Sequence, residues 1–279
     1  MFHGLSTVVF ALAASITWGA GDFSGGLATR RAQVLSVVVG AYTVGFIMLI
    51  ALALLWSEPF PTTLDVIWGS LAGLAGAVGL VAFYQALAVG RMGIVAPIAA
   101  MLSAATPVLF AAFIEGLPGP VQLIGFVLAF IAVGLISGLG VVKGRPKGLG
   151  LALLAGMGFG SFFILISRVS HGSVFWPLAA ARLSSLLFLL AVVLIRHQKV
   201  LPEKSVWPVV LLAGALDVAG NVFFVLATHA GRLDVAAILS SLYPAVTVLL
   251  ATIILKERVT RLQAIGIVVA LVAIPLISI

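Results

Sequence analysis

Three ionisable side chains fall inside long apolar runs of this chain: Asp22, Arg182 and Asp217. A charge in hydrocarbon costs at least about 2.5–3.5 kcal/mol, so each is read first as a group with a task. A carboxylate in such surroundings can take and release a proton. A guanidinium can hold an anionic group or a carboxylate. Their neighbours extend the constellation. Trp18 and Asp22 are four residues apart and share a helix face, as do Asp217 and Asn221, and Ser185 lies a turn from Arg182. Tyr84 and Gln85 sit in another run, and Ser240, Ser241 and Tyr243 precede Pro244 in a third. Each residue also has a purely structural reading. Asp22 could reach the headgroups or pair with Arg30 or Arg31, and Asp217 could satisfy a helix–helix hydrogen bond. Arg182 could snorkel outward or form a salt bridge with Asp22 or Asp217. Tyr84 and Tyr243 could serve packing alone. Thr228 and His229, at a run end, are read as interfacial.

Other chemistries lack their residues. There is no cysteine, which removes thiol nucleophiles, disulfides and thiolate metal sites. No HExxH helix and no cluster of histidines or carboxylates suggests a metal. No GxxxxGK[ST] loop is present for ATP, and Gly158-Phe159-Gly160-Ser161-Phe162 is not a nucleophile elbow. No cofactor and no enzymatic activity are expected.

The elements that must position these residues are membrane helices. Of 279 residues, 63% are hydrophobic and 8% charged, against about 45–50% and 25% in soluble domains. Ten runs are long enough to span a bilayer: 6–27, 34–56, 66–89, 93–114, 121–141, 148–167, 175–195, 207–228, 235–255 and 262–279. Turn and charge signals separate them, and the separators are short, so successive spans are expected to pack as antiparallel hairpins. Pro97 and Pro107 are expected to interrupt the fourth run, freeing carbonyls toward protein or a watery cavity. The first run lacks a basic leader and takes part in the repeat described next, so it reads as a retained helix rather than a signal peptide.

Residues 70–137 and 211–278 register at an offset of 141, with 21 identities in 68 positions, where this composition would give roughly one in ten by chance. Leu71-Ala72-Gly73 falls on Leu212-Ala213-Gly214, Gly79 on Gly220, Thr106 on Thr247, Gln122 on Gln263 and Gly125 on Gly266. The chain therefore divides into a first five-helix repeat (1–142), a basic linker (143–147) and a second five-helix repeat (148–279). An odd number of spans reverses direction, so the expected fold is all-α, with ten transmembrane helices in two inverted repeats, an arrangement found in secondary transporters. Twelve basic residues lie in loops on one side, and only Arg168 and Arg232 on the other. That bias places the linker in the cytoplasm and both termini outside, in the plasma or inner membrane. The net charge of +7 thus reads as membrane orientation rather than nucleic-acid binding. Gly69, Gly73 and Gly76, and Gly156 and Gly160, have the small-residue spacing of close helix contacts.

With these features the chain resembles the EamA branch of the drug/metabolite transporter superfamily. The carrying residues are Trp18-Gly19, Arg182, and Tyr243-Pro244 followed by Lys256-Glu257-Arg258-Val259-Thr260, Gln263 and Gly266. The first half keeps Glu115, Gln122 and Gly125 but has Gly116-Leu117-Pro118-Gly119 in place of the basic loop, and Ala41 opposite Arg182. The resemblance implies a ten-helix bundle with a central cavity that moves small metabolites, amino acids or drugs by alternating access. The expected function is a secondary transporter with Asp22 or Asp217 as proton carrier. Trp18, Tyr84, Gln85, Arg182, Asn221, Ser240 and Tyr243 complete the substrate-binding or coupling set. A uniporter or exchanger with structural aspartates, and a non-transporting scaffold or lipid-carrier-binding subunit, remain as alternatives. The partners expected are a small-molecule substrate and the bilayer, with a homodimer as an open assembly state.

Overall fold

A computed structural model describes residues 2–89, 92–137, 147–256 and 258–278. Gly90, Arg91, Lys143 to Pro146 and Glu257 lie outside them, as does the side chain of Pro97, so the expected linker is described only at Lys147. The described residues form helices without strands: α1 (Phe2–Thr29), α2 (Val34–Leu55), α3 (Thr63–Val89), α4 (Met92–Ile114), α5 (Pro120–Ile136), α6 (Leu149–Ile166), α7 (Phe175–Ile195), α8 (Trp207–Ala230), α9 (Leu233–Ser240), α10 (Tyr243–Ile254) and α11 (Arg261–Ile277). Among the described residues, seven segments are long and apolar enough to cross a membrane, and Ile98–Ile114, Pro120–Ile136 and Arg261–Ile277 are shorter apolar helices.

The expected interruption falls elsewhere than anticipated. α4 runs unbroken through Pro97 and Pro107, whereas the run at 235–255 divides at Ser241 and Leu242 into α9 and α10. Pro244 sits in the first turn of α10, where its missing N–H leaves no bond unmade.

Successive helices do not pack mainly as hairpins; the main contacts run between the two halves of the chain. α1 packs along α8 and α6 along α3. α2 packs on α8 and α7 on α3. α9 and α10 lie on α1 as α4 lies on α6, and α5 pairs with α11. The offset of 141 recurs in these contacts residue by residue. Gly79 lies against Phe159, and Gly220 against Trp18. Gly160 lies against Thr106, and Gly19 against Val246, where Thr247 donates to the Gly19 carbonyl at 3.0 Å. Gly125 meets Ile277, and Gly266 meets Ile136. A duplicated sequence interlocks in this way because each copy offers the same small-residue faces to the other.

The contacts also give the helix directions. Thr7 near the start of α1 meets Gly231 at the end of α8, and Trp18 meets Gly220, so the two run antiparallel. Gly40 meets Val210 and Gly45 meets Val218, so α2 and α8 are parallel. Gly69 lies on Pro177 and Gly73 on Ala181, so α3 and α7 are parallel, while Gly79 and Gly76 meet Phe159 and Phe162 in reverse order along α6.

Packing follows membrane rather than soluble logic. The core is rich in alanine, with Ala11, Ala14, Ala72, Ala77, Ala86, Ala104 and Ala132 fully buried. Large apolar side chains such as Ile47, Leu109, Leu187 and Leu271 face outward. Lipid is as apolar as leucine, so burying large side chains gains little, and close contact between small residues holds the helices together.

Candidate functional site

Arg182 on α7 lies near the middle of the bundle. Its guanidinium donates to the Asp217 carboxylate of α8 and sits over the Tyr42 ring of α2, 4.1 Å from the centroid. Gly45, one turn beyond Tyr42, leaves space for the arginine stem: a Cβ there would lie 3.6 Å from Nε. Asn221 donates from Nδ2 to the Asp217 backbone carbonyl at 2.6 Å, tying the polar turn of α8 together. Tyr42, Gly76, Phe162, Arg182, Ser185 and Asn221 border a cavity of ≈ 20 Å³, about enough for one water molecule.

Asp22 enters from α1. Neighbouring Gly21 lies against Ala213, Leu216 and Asp217 of α8. Asp22 lies within electrostatic range of the Asp217 carboxylate and of the Tyr42, Tyr84 and Tyr243 hydroxyls. These groups come from α8, α2, α3 and α10, so Asp22 faces the interior, yet its side chain is exposed. Asp22 thus combines an exposed side chain with electrostatic reach to four other helices. Trp18, one turn earlier, is half-buried, with its ring 5.5 Å from that of Phe163 and 5.7 Å from that of Phe224.

Not all the expected site residues meet here. Asp22, Arg182, Asp217, Asn221, Tyr84 and Tyr243 come together, with Trp18 as an edge. Gln85 is half-buried beside Tyr84 on α3. Ser240 is fully buried and donates to the Ala11 carbonyl at 3.2 Å, a helix–helix contact rather than a cavity wall. Ser185 donates to the Gly73 carbonyl at 2.8 Å, joining α7 to α3. His229 stacks on His171 at 4.6 Å and contacts the Val169 carbonyl, at one end of the bundle. Tyr42 and Gly45 were missed. Tyr42 carried a usable signal: the chain has only three tyrosines, all in apolar runs, and all three lie at this site.

The end of the bundle bearing the α2–α3, α4–α5, α6–α7 and α8–α9 connections is laced across the halves. The Glu58 carboxylate accepts from the backbone N–H groups of Val174, Phe175 and Trp176 at the start of α7. Asp65 accepts from the Ser170 N–H at 2.8 Å. Arg232 donates to the carbonyls of Glu115 and Gly116 and to Asp234. Carboxylates at a helix start satisfy otherwise unpaired N–H groups, so these bonds hold that end together.

The arrangement is a polar interior site walled by helices from both halves, and comparison with known proteins agrees with it. The uncharacterized protein MJ1333.1 of Methanocaldococcus jannaschii is 28% identical over 131 residues, covering 47% of this chain and 94% of the relative. A solved structure described only as a crystal structure of a protein superposes with a TM-score of 0.79 at 17% identity, covering 97% of this chain and 96% of the other. That likeness speaks to the fold. The EamA-like transporter family matches twice, at residues 5–138 and 146–279. The chain is a multi-pass membrane protein that belongs to the EamA-like transporter family.

Proposed function

We propose that the protein is a secondary transporter that moves a small solute by alternating access, with ten spans in two inverted five-helix repeats. The observation that carries this reading is the central constellation: an exposed Asp22 beside the Arg182–Asp217 pair, among tyrosines from α2, α3 and α10. A scaffold has no use for three ionisable groups inside its helices. The helix directions support the inverted repeats, since the pairings that set α1 against α8 and α3 against α6 leave the two copies pointing opposite ways. The hydrogen bonds of Glu58, Asp65 and Arg232 support a conformation closed at that end. By the loop charges this is the outer end, with the linker cytoplasmic and both termini outside.

Asp22 is the better proton carrier of the two aspartates. Asp217 is already paired with Arg182, whereas Asp22 has no hydrogen bond or ion pair among the described residues. The test is solute flux in proteoliposomes under an imposed pH gradient. The D22N/D217N double variant is expected to lose its response to the gradient. Retained coupling would leave the uniporter or exchanger reading, with both aspartates structural.

A further inference from the structure

Three consecutive residues fasten the α6–α7 connection to its neighbours. The Val169 carbonyl accepts from His229 Nε2 of α8 at 3.2 Å, and the Ser170 N–H donates to the Asp65 carboxylate of α3 at 2.8 Å. The His171 ring stacks on that of His229, with centroids 4.6 Å apart and planes inclined by 28°. Two of these three ties end on one imidazole. His229 is half-buried in the last turn of α8, whereas His171 is exposed. A ring nitrogen that faces a carbonyl must carry a hydrogen, so Nε2 of His229 is the donor and Nδ1 is the atom that takes up a further proton.

A charged His229 keeps its bond to Val169, so acid acts between the two rings. One proton on the pair leaves a charged ring against a neutral one. A second sets two like charges face to face at 4.6 Å, and they repel more strongly the less water lies between them. The other charged groups at this end are engaged. Asp65, the carboxylate in reach of His229, accepts from Ser170 and from Thr62. Glu58 caps α7, Arg232 holds Asp234 and lies 3.9 Å from Glu115, and Arg168 sits over the Phe110 ring. α1 meets the end of α8 with the uncharged Thr7, at Gly231. Among the described residues, one carboxylate thus stands against two imidazolium rings.

Resting on the transporter reading, we propose that the His171–His229 stack is a proton-released latch: it helps to hold the outer end closed near neutral pH, and acid outside the cell parts the rings and favours opening to that side. The repulsion exists only while the α6–α7 connection lies on the end of α8, so charging both rings raises the closed state and not the open one, which is what shifts a population. Histidine is the side chain whose ordinary charge change falls between about pH 5 and 8, the range in which such a latch would work.

The chain has no cysteine, so single introduced cysteines report access from outside. Gly76 borders the central cavity, and a Cβ there makes only ordinary contact with Phe162, at 3.5 Å. Leu117, in the α4–α5 connection, is 78% exposed. A membrane-impermeant maleimide is applied to intact cells carrying the full chain as G76C or L117C. The G76C rate divided by the L117C rate removes the pH dependence of the thiol itself. That ratio is expected to rise about fivefold or more between about pH 7.5 and 5.5. H171Q and H229Q should each abolish the rise, because a lone charge has no like partner, and glutamine at 229 keeps an N–H for Val169. Thermal unfolding needs no cysteine and keeps the proposal testable if G76C folds poorly: over the same pH range the parent midpoint should fall more steeply than that of H171Q or H229Q. A flat ratio in the parent, a rise that persists in either variant, parallel midpoints, or labelling of L117C only after the cells are opened would each overturn the latch. Labelling follows access, not transport. Acid-driven labelling in a protein that moves no solute under a pH gradient would sink the transporter reading and leave the latch standing. Solute movement with a labelling ratio that ignores pH would do the reverse.

Discussion

Gln122 and Gln263 make the same hydrogen bond from opposite ends of one helix pair. Gln122 donates from Nε2 to the Ile277 carbonyl at 3.2 Å, and Gln263 donates to the Ile136 carbonyl at 3.4 Å. Each glutamine lies in the first turn of its own helix, α5 or α11, and reaches the last turn of the other. The reciprocity is what a two-fold relation between the repeats requires, and it satisfies carbonyls that a helix end leaves unpaired. Q122A and Q263A should therefore cost nearly equal amounts, about 1 kcal/mol each. The sites are at opposite ends of the pair, so the double variant should cost the sum. Thermal unfolding of purified protein in one detergent checks both statements; strongly unequal losses would argue against the reciprocal pairing.

The packing of α3 on α7 gives a sharper contrast. A methyl at Gly73 would collide with the Ala181 carbonyl, a backbone atom that cannot swing away. Gly150, in α6, has nothing within 4 Å of the same added atom. G73A is expected to lower stability by about 1–3 kcal/mol, as overpacking does. G150A should be neutral or raise it by up to about 1 kcal/mol, because alanine restricts the unfolded chain. Unfolding in parallel samples would show the difference, and similar behaviour of the two variants would mean that α3 and α7 are not in close contact.

Much of the scaffold was legible in the chain because its signals are periodic and repeated. Three of the residues that carried the family resemblance, Thr260, Gln263 and Gly266, prove to be structural. The Thr260 side chain accepts from the Gln263 N–H at the start of α11, Gln263 reaches across to α5, and Gly266 lies against Leu135 and Ile136. Hydropathy placed the helices but could not say which faces meet. The expectation of sequential hairpins failed because short connectors constrain helix ends, not which long faces pack together. The site was partly legible. Asp22, Arg182 and Asp217 stand out by cost in an apolar run, whereas Tyr42 costs little there and raises no such alarm. Ser240 looked like a cavity residue by its neighbours in sequence, but its carbonyl partner lies far away in the chain, on Ala11.

Glu115, beyond the end of α4, makes stability depend on pH. Burial holds its carboxyl above the ordinary value of 4.5; the Leu233 N–H, Arg232 and Arg168 oppose this, and Asp234 adds to it. A carboxyl whose folded pKa is raised binds its proton more tightly in the folded state than in the unfolded one. Its contribution is fully present below about 4.5 and is lost as pH rises through the folded pKa. E115Q, which keeps the shape of the protonated form, should flatten the stability profile over that window while leaving the profile elsewhere unchanged. Unfolding midpoints of the two proteins across a pH series would show it, and parallel profiles would assign the dependence to another group.

The Arg182–Asp217 pair should respond asymmetrically to loss of its members. The arginine side chain is 9% exposed and the aspartate 33%. D217N strands a charge that solvent hardly reaches and that cannot shed its proton, whereas R182M strands a carboxylate that water can reach or a proton can neutralise. D217N is thus expected to cost about 2–4 kcal/mol and R182M clearly less, with the R182M/D217N double variant recovering part of the D217N loss. Tyr42 adds a second check on the same geometry. Y42F keeps the ring face under the guanidinium and should change little, while Y42L removes it at a cost of about 1–2 kcal/mol. In the R182M background that difference should shrink to the loss of packing alone. A double-mutant cycle on thermal unfolding measures both couplings; zero coupling between positions 42 and 182 would remove the stacked guanidinium from the account of the site.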